Sequence, residues 1–147
     1  MENIYVERVR ANVKRQALYC DMLGSARWVG ELAQRYPARE ITPLTPWFAN
    51  ISIHDVEITG CSTLVDVSAL PEKPVKNFFF GNVKAHCDRI GKICDATKFS
   101  MKDVRIESCD TVMRIDNCDY ASFFGFSNVT TGSSVKIEKN REENVAI

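Results

Sequence analysis

One nine-residue unit recurs through this chain, and its spacing leaves few folds open. Residues 77–85 (NFFFGNVKA) and 98–106 (KFSMKDVRI) align without a gap at an interval of 21 residues. Residues 50–58 (NISIHDVEI) and 3–11 (NIYVERVRA) are two further copies. Self-similarity at intervals of roughly 20–50 residues marks architectures in which one supersecondary unit is stacked on the next. Within each copy, positions one and three after the opening residue are apolar: Ile4 and Val6, Ile51 and Ile53, Phe78 and Phe80, Phe99 and Met101. That alternation is the period of a strand with one buried face. A bend and a second strand follow through Val9, Val56, Val83 and Val104. A third short strand is predicted at 17–21, 64–67, 91–95 and 112–116.

Three short strands per unit, with no helical periodicity and no leucine-rich, ankyrin or tetratricopeptide pattern, predict an all-β right-handed parallel β-helix of about four to five coils. Stacked parallel strands set like residues over like. The valine series is one such row, and Cys61, Cys87 and Cys109 are expected to form another as free thiols. Asn3, Asn50 and Asn77 open three units, where asparagine tolerates a left-handed turn and bonds along the stack. The first interval is 47 residues against 27 and 21 later, so a loop is inserted at 22–46, with a short helix expected over 26–35. Residues 1–147 form a single domain whose last part, 117–147, reads as an irregular final turn and tail, REENVAI being a frayed or docked end.

Nineteen acidic and nineteen basic side chains cancel, which removes the overall field that would draw nucleic acid or an anionic membrane. Residues 1–39 carry seven Lys or Arg against four acids, read as a solvated face. No apolar run approaches the roughly 20 residues of a membrane span, and MENIYVERVR lacks the apolar core of a signal peptide. A cytoplasmic chain is therefore expected as written. No metal or cofactor is expected, because CxxC pairs, histidines at ligand spacing, phosphate loops and zinc signatures are all missing. His54 and His86 read as surface residues. Asp21, Asp66, Asp95 and Asp116 recur near the ends of the third strands, where an acid–base pair for glycoside cleavage or simple strand-end capping are the two readings, capping being preferred. Trp28, Tyr36 and Trp47 in the insertion suit either stacking on a sugar ring or pinning the loop to the wall, the second being preferred.

Three stretches, NIYVERVRANVKRQALYCDM, WFANISIHDVEITGC and PEKPVKNFFFGNVKAHCDRIGKICDATKFSMKDVRI, resemble the C-terminal coils of bacterial polygalacturonases of glycoside hydrolase family 28, in the pectin-lyase-like superfamily. The likeness covers residues 2–125 and includes the insertion after Asp21 and the connection from Leu70 to Asn77. It implies inverting hydrolysis of polygalacturonate in the family, whose members are usually periplasmic or secreted. The family's Asn-Thr-Asp, Asp-Asp, Gly-His-Gly and Arg-Ile-Lys elements do not occur here, and Arg114-Ile115-Asp116 ends in an acid. No catalytic residue is carried over. A family tyrosine that holds the sugar falls near Leu23, with Tyr19 its available substitute. Tyr19, Asp21 and Trp28 are thus the candidate substrate-binding residues. The resemblance implies a truncated or split β-helix, inactive alone, with polygalacturonate as the polysaccharide partner. A non-catalytic oligogalacturonate-binding or structural module is the alternative. The apolar rows at Ile4, Val6 and Val9 predict an open end filled by self-association or by an N-terminal β-helix piece.

Overall fold

The structure, a computed structural model, describes residues 1–35 and 37–140. The expected tail REENVAI and Tyr36 lie outside the described residues. Among the described residues nine strands form one open sheet: β1 (Glu2–Asn12), β2 (Gln16–Asp21), β3 (Ala49–Ser68), β4 (Val75–Glu107), β5 (Val112–Asp119), β6 (Ser122–Phe124), β7 (Ser127–Asn128), β8 (Ser133–Ser134) and β9 (Lys136–Asn140). All pairings between them are parallel except β7 with β8. The fold is thus all-β, and among the described residues the helical ones are α1 (Ala26–Val29) and the 3-10 turn Gly30–Ala33 inside the insertion. These replace the longer helix expected over 26–35. Ser25 caps α1 by accepting from the Arg27 amide, and Gly30 ends it at positive φ.

The register follows the repeat. Ile4 pairs with Ile51 and Ile51 with Phe78; Val9 pairs with Val56 and Val56 with Val83. Farther on, Ser100 pairs with Ser122 and Met101 with Phe123. Phe78 and Phe99, both in β4, stack ring on ring with centroids 4.9 Å apart, which sets the two halves of that strand one above the other.

The strands are longer than the sequence suggests, because single residues bend the chain without interrupting the pairing. Two series of left-handed residues recur in register. One is Asn3, Asn50, Asn77, Lys98 and Tyr120; the other is Arg8, Asp55, Asn82, Asp103 and Gly125, all with φ between 48° and 65°. The left-handed region is disfavoured for most side chains and tolerated by asparagine, aspartate and glycine, so the sequence marks these corners. Asparagine side chains stack along the first corner: Asn77 Nδ2 donates to Asn50 Oδ1 at 2.8 Å, and Asn50 Nδ2 to Asn3 Oδ1 at 3.1 Å.

The inward rows build the core, and their burial deepens unit by unit. Phe99, Met101, Val104 and Ile106 are completely buried, and Phe78, Phe80, Val83 and Ala85 nearly so. Ile4, Val9 and Ala11 in β1 are only partly covered. The cysteine row is shorter than expected. Cys61 pairs with Cys87, but Cys109 is exposed and Ser108 takes the next buried place, its hydroxyl donating to the Asp88 carbonyl at 3.2 Å. A bulge between Ile58 and Cys61 brings Cys61 over Cys87, while the 21-residue interval of the next unit, which carries no such extra residue, leads from Cys87 to Ser108. All six cysteines are free. Burial pushes the Cys20 thiol up to about 11 and the Cys118 thiol up to about 12.

Two substitutions test this construction. Lys98 holds a left-handed corner without the side chain suited to it, so Lys98→Asn is expected to raise unfolding free energy by about 1 kcal/mol. Gly91 has φ 102°, and a Cβ there would lie 1.9 Å from the Val65 carbonyl oxygen. Gly91→Ala should therefore lower stability by about 3 kcal/mol or more. Chemical denaturation of both variants against the native chain checks the two signs.

Candidate functional site

Outward-facing residues of the first units form a connected polar group. In the pairing register Tyr5 lies beside Ser52, which lies beside Phe79, and Glu7 lies beside His54, which lies beside Gly81. Neighbouring strands are about 4.8 Å apart, so side chains in these rows meet. His54 Nδ1 is 2.8 Å from Asp55 Oδ2, and His54 Nε2 is 2.7 Å from the Tyr5 hydroxyl. The Tyr5 hydroxyl donates to Glu7 Oε2 at 3.0 Å, and Arg8 Nη2 donates to Glu7 Oε1 at 2.6 Å. The two rings meet edge to face at 5.1 Å. Asn82 Nδ2 donates to Asp55 Oδ1 from the neighbouring corner.

The charges follow from these contacts. The Asn82 amide, and then His54, hold the Asp55 carboxyl below its ordinary value of 3.8. The carboxylate of Glu7 raises the Tyr5 hydroxyl above 10.0. One carboxylate thus fixes the imidazole ring while a phenol occupies its other nitrogen, an arrangement that can hold or relay a proton. Ligand atoms of Glu7, His54 and Asp55 lie within 4.8 Å of one another, the one such group of three among the described residues. A nitrogen and two carboxylate oxygens are donors that a divalent transition metal accepts.

Beside this group, a cavity of about 550 Å³ is lined by Glu57, Thr59, Lys84, His86, Arg105 and Glu107, among others. Arg10 reaches Glu57 at 3.4 Å, and His86 Nδ1 lies 3.5 Å from Glu107. Its walls carry both signs of charge and hydroxyl groups, chemistry suited to an extended polar ligand.

The residues singled out in the sequence are not assembled into one centre. Tyr19 is exposed and its hydroxyl donates to Asp21 Oδ2 at 2.9 Å, which raises the phenol above its usual range. Asp21 Oδ1 accepts from the Leu23 amide at 2.8 Å, closing the first turn of the insertion. Trp28 is 79% exposed, with the Arg27 guanidinium 5.3 Å from its ring centre. It therefore does not pin the loop. Trp47 is half-buried, with Lys73 Nζ 5.6 Å from its ring centre.

The four aspartates do not share a row. Asp66 pairs with Tyr19 and Lys92, whereas Asp21 and Asp116 stand at opposite ends of another row, Asp21–Ser68–Cys94–Asp116. Asp95 sits one residue farther on and is fully buried. Arg35 holds both its oxygens, Nε to Oδ2 at 2.6 Å and Nη2 to Oδ1 at 2.7 Å, and Asn117 Nδ2 donates to Oδ1 as well. That ion pair, which spans 60 residues of sequence, is what fastens the insertion to the sheet. Sequence reasoning missed it, and no periodic signal marks Arg35. The Glu7 and His54 neighbourhood was missed as well, although both hold the fifth position of their units and that shared position could have found it.

In comparison with known proteins, no family model, no curated protein and no solved structure matches this chain. No helix among the described residues is long and apolar enough to cross a membrane.

Removing Arg35 would leave a buried carboxylate without its cation, so Arg35→Ala should cost about 3 kcal/mol and expose residues 22–46 to protease at a protein concentration where the native loop resists cleavage. At Asp55 the sign is set by its depressed pKa. The network contributes stability above the ordinary carboxylate value and loses it as pH falls through the depressed one. In an NMR titration the Asp55 midpoint should lie below 3.8, and Asn82→Ala should move it upward.

Proposed function

We propose that this chain is a section of right-handed parallel β-helix of the polygalacturonase-like glycoside hydrolase kind, and that it does not cleave polygalacturonate by itself. The observation that carries the architecture is the pair of left-handed corners repeated in register through five units. The family reading rests on the stretches at 3–22, 47–61 and 71–106, which resemble its C-terminal coils.

The proposed lack of activity rests on the carboxylates. Cleavage of a glycosidic bond needs two of them facing one another across it. Asp95 is held by Arg35 and Asn117, Asp66 lies in a row of its own, and Asp21 and Asp116 stand at opposite ends of one row, three strand spacings or about 14 Å apart, too far to face one another across a bond. Purified chain incubated with polygalacturonate is expected to release no more reducing ends than a heat-killed sample. Release abolished by a single Asp→Asn change among Asp21, Asp66 and Asp116 would overturn the reading.

A second reading, a non-catalytic module that holds anionic pectin fragments, is favoured by one feature. Trp28 offers an exposed ring beside a guanidinium. Aromatic stacking joined to a cation suits a sugar that carries a carboxylate. Under this reading oligogalacturonate binds, binding weakens with salt, and Trp28→Ala reduces affinity by about tenfold. Unchanged affinity in that variant would remove the loop from consideration.

A further inference from the structure

The two ends of the stacked strands differ. At one end the sheet finishes at β1, and no described strand pairs with its outer edge. The inward residues there are all apolar. A cavity of about 170 Å³ opens among Val6, Val9, Ala11, Val13, Ala17 and Ile53, with almost no polar wall. At the other end among the described residues, the inward row Cys20, Val67, Ile93, Ile115 finishes in Lys139, and the antiparallel β7–β8 pair interrupts the parallel stack. An inward-placed charge and a reversed strand are devices that blunt an edge. Among the described residues only one end is left adhesive, which disfavours head-to-tail growth into a filament.

The exposed strand is also complementary to itself. Reversed about the Glu7–Arg8 bond, NIYVERVRAN sets Glu7 opposite Arg8, Val6 opposite Val9, Tyr5 opposite Arg10, Ile4 opposite Ala11 and Asn3 opposite Asn12. Every apolar residue meets an apolar one, each glutamate meets an arginine, and the exposed Tyr5 ring meets a guanidinium. The left-handed corner at Arg8 lies at the centre of this reversal. A two-fold axis through the corner exchanges the two arms of the bent strand, so the bend does not obstruct pairing.

We infer that two copies of this chain join through β1, edge to edge and antiparallel, about a two-fold axis between Glu7 and Arg8. The pairing covers the apolar cavity of both copies and supplies partners for the free edge of β1. It closes at two, because each copy has one adhesive end.

The register gives a specific test. In sedimentation equilibrium the native chain should run at twice its 16.6 kDa. Glu7→Arg brings two arginine pairs together across the axis and Arg8→Glu brings two glutamate pairs together, so each variant alone should dissociate at concentrations at least about tenfold higher. An equimolar mixture of the two restores opposite charges at both contacts and should recover the dimer. Val9→Lys, which places a charge at the axis in the apolar row, should be monomeric, and it stands in for either swap that fails to fold by circular dichroism. A native chain that stays monomeric at the highest soluble concentration overturns the inference and leaves the edge to a different chain. So do assemblies larger than two, a dimer indifferent to both swaps, or a mixture that does not recover.

Discussion

Everything in this structure depends on parallel pairing between residues a fixed interval apart, and the interval is held by left-handed corners. A residue at φ near 55° turns the chain sharply while keeping its neighbours in extended conformation. Because the corners recur at the same unit positions, the arms between them keep equal length, and each apolar residue falls over the one before. Register in a half-buried strand is strongly specified, since a slip of one residue would turn the buried set outward. The asparagine stack at Asn3, Asn50 and Asn77 adds a second lock, because a shifted unit would break its side-chain bonds.

What the sequence made legible is what repeats. The apolar rows, the valine series and the asparagine corner could be read because each residue has counterparts at the same unit position. The second corner was harder to see, since Arg8, Asp55, Asn82, Asp103 and Gly125 share a backbone conformation but not a side-chain type. The cysteine row was misread because the bulge after Ile58 adds one residue to that unit alone, so that Cys61 falls over Cys87 while Cys109, at the same count from its unit start as Cys61, falls one residue past the row. Contacts made once are illegible for the same reason. Arg35 reaches Asp95 from an insertion that has no counterpart in other units, so no periodicity could have paired them. The polar group at Tyr5, Glu7, His54 and Asp55 lies between these cases. Its members occupy repeated positions, but its meaning comes from chemistry specific to one pair of units.

The Arg35–Asp95 pair also decides how the carboxylates are to be regarded. A buried ion pair adds little net stability, because removing both charges from water offsets much of their attraction. Its geometric effect is larger. A two-toothed contact with a guanidinium leaves the carboxylate no freedom to approach a substrate, and it anchors a loop of some two dozen residues at one point on the sheet. The exposed Trp28 is therefore carried on an insertion fixed near its middle, as expected of binding residues presented by a scaffold.

Burial deepens from β1 inward, so stability is not uniform along the stack. In a stacked-repeat protein each unit draws its stability from its own contacts and from those with its neighbours. The unit at β1 has a neighbour on one side only, and its inward residues Ile4, Val9 and Ala11 remain partly in contact with solvent. It should open more readily than the units built on Phe78 and Phe99, whose rings stack in a dry interior. A partner bound to the edge of β1 favours the closed form of that unit by mass action. The His54 network bridges β1 and β3 at this same unit, so its integrity is tied to whether the edge is covered. The polar group and the exposed edge therefore respond to association together, while the inner units, already buried on both sides, do not.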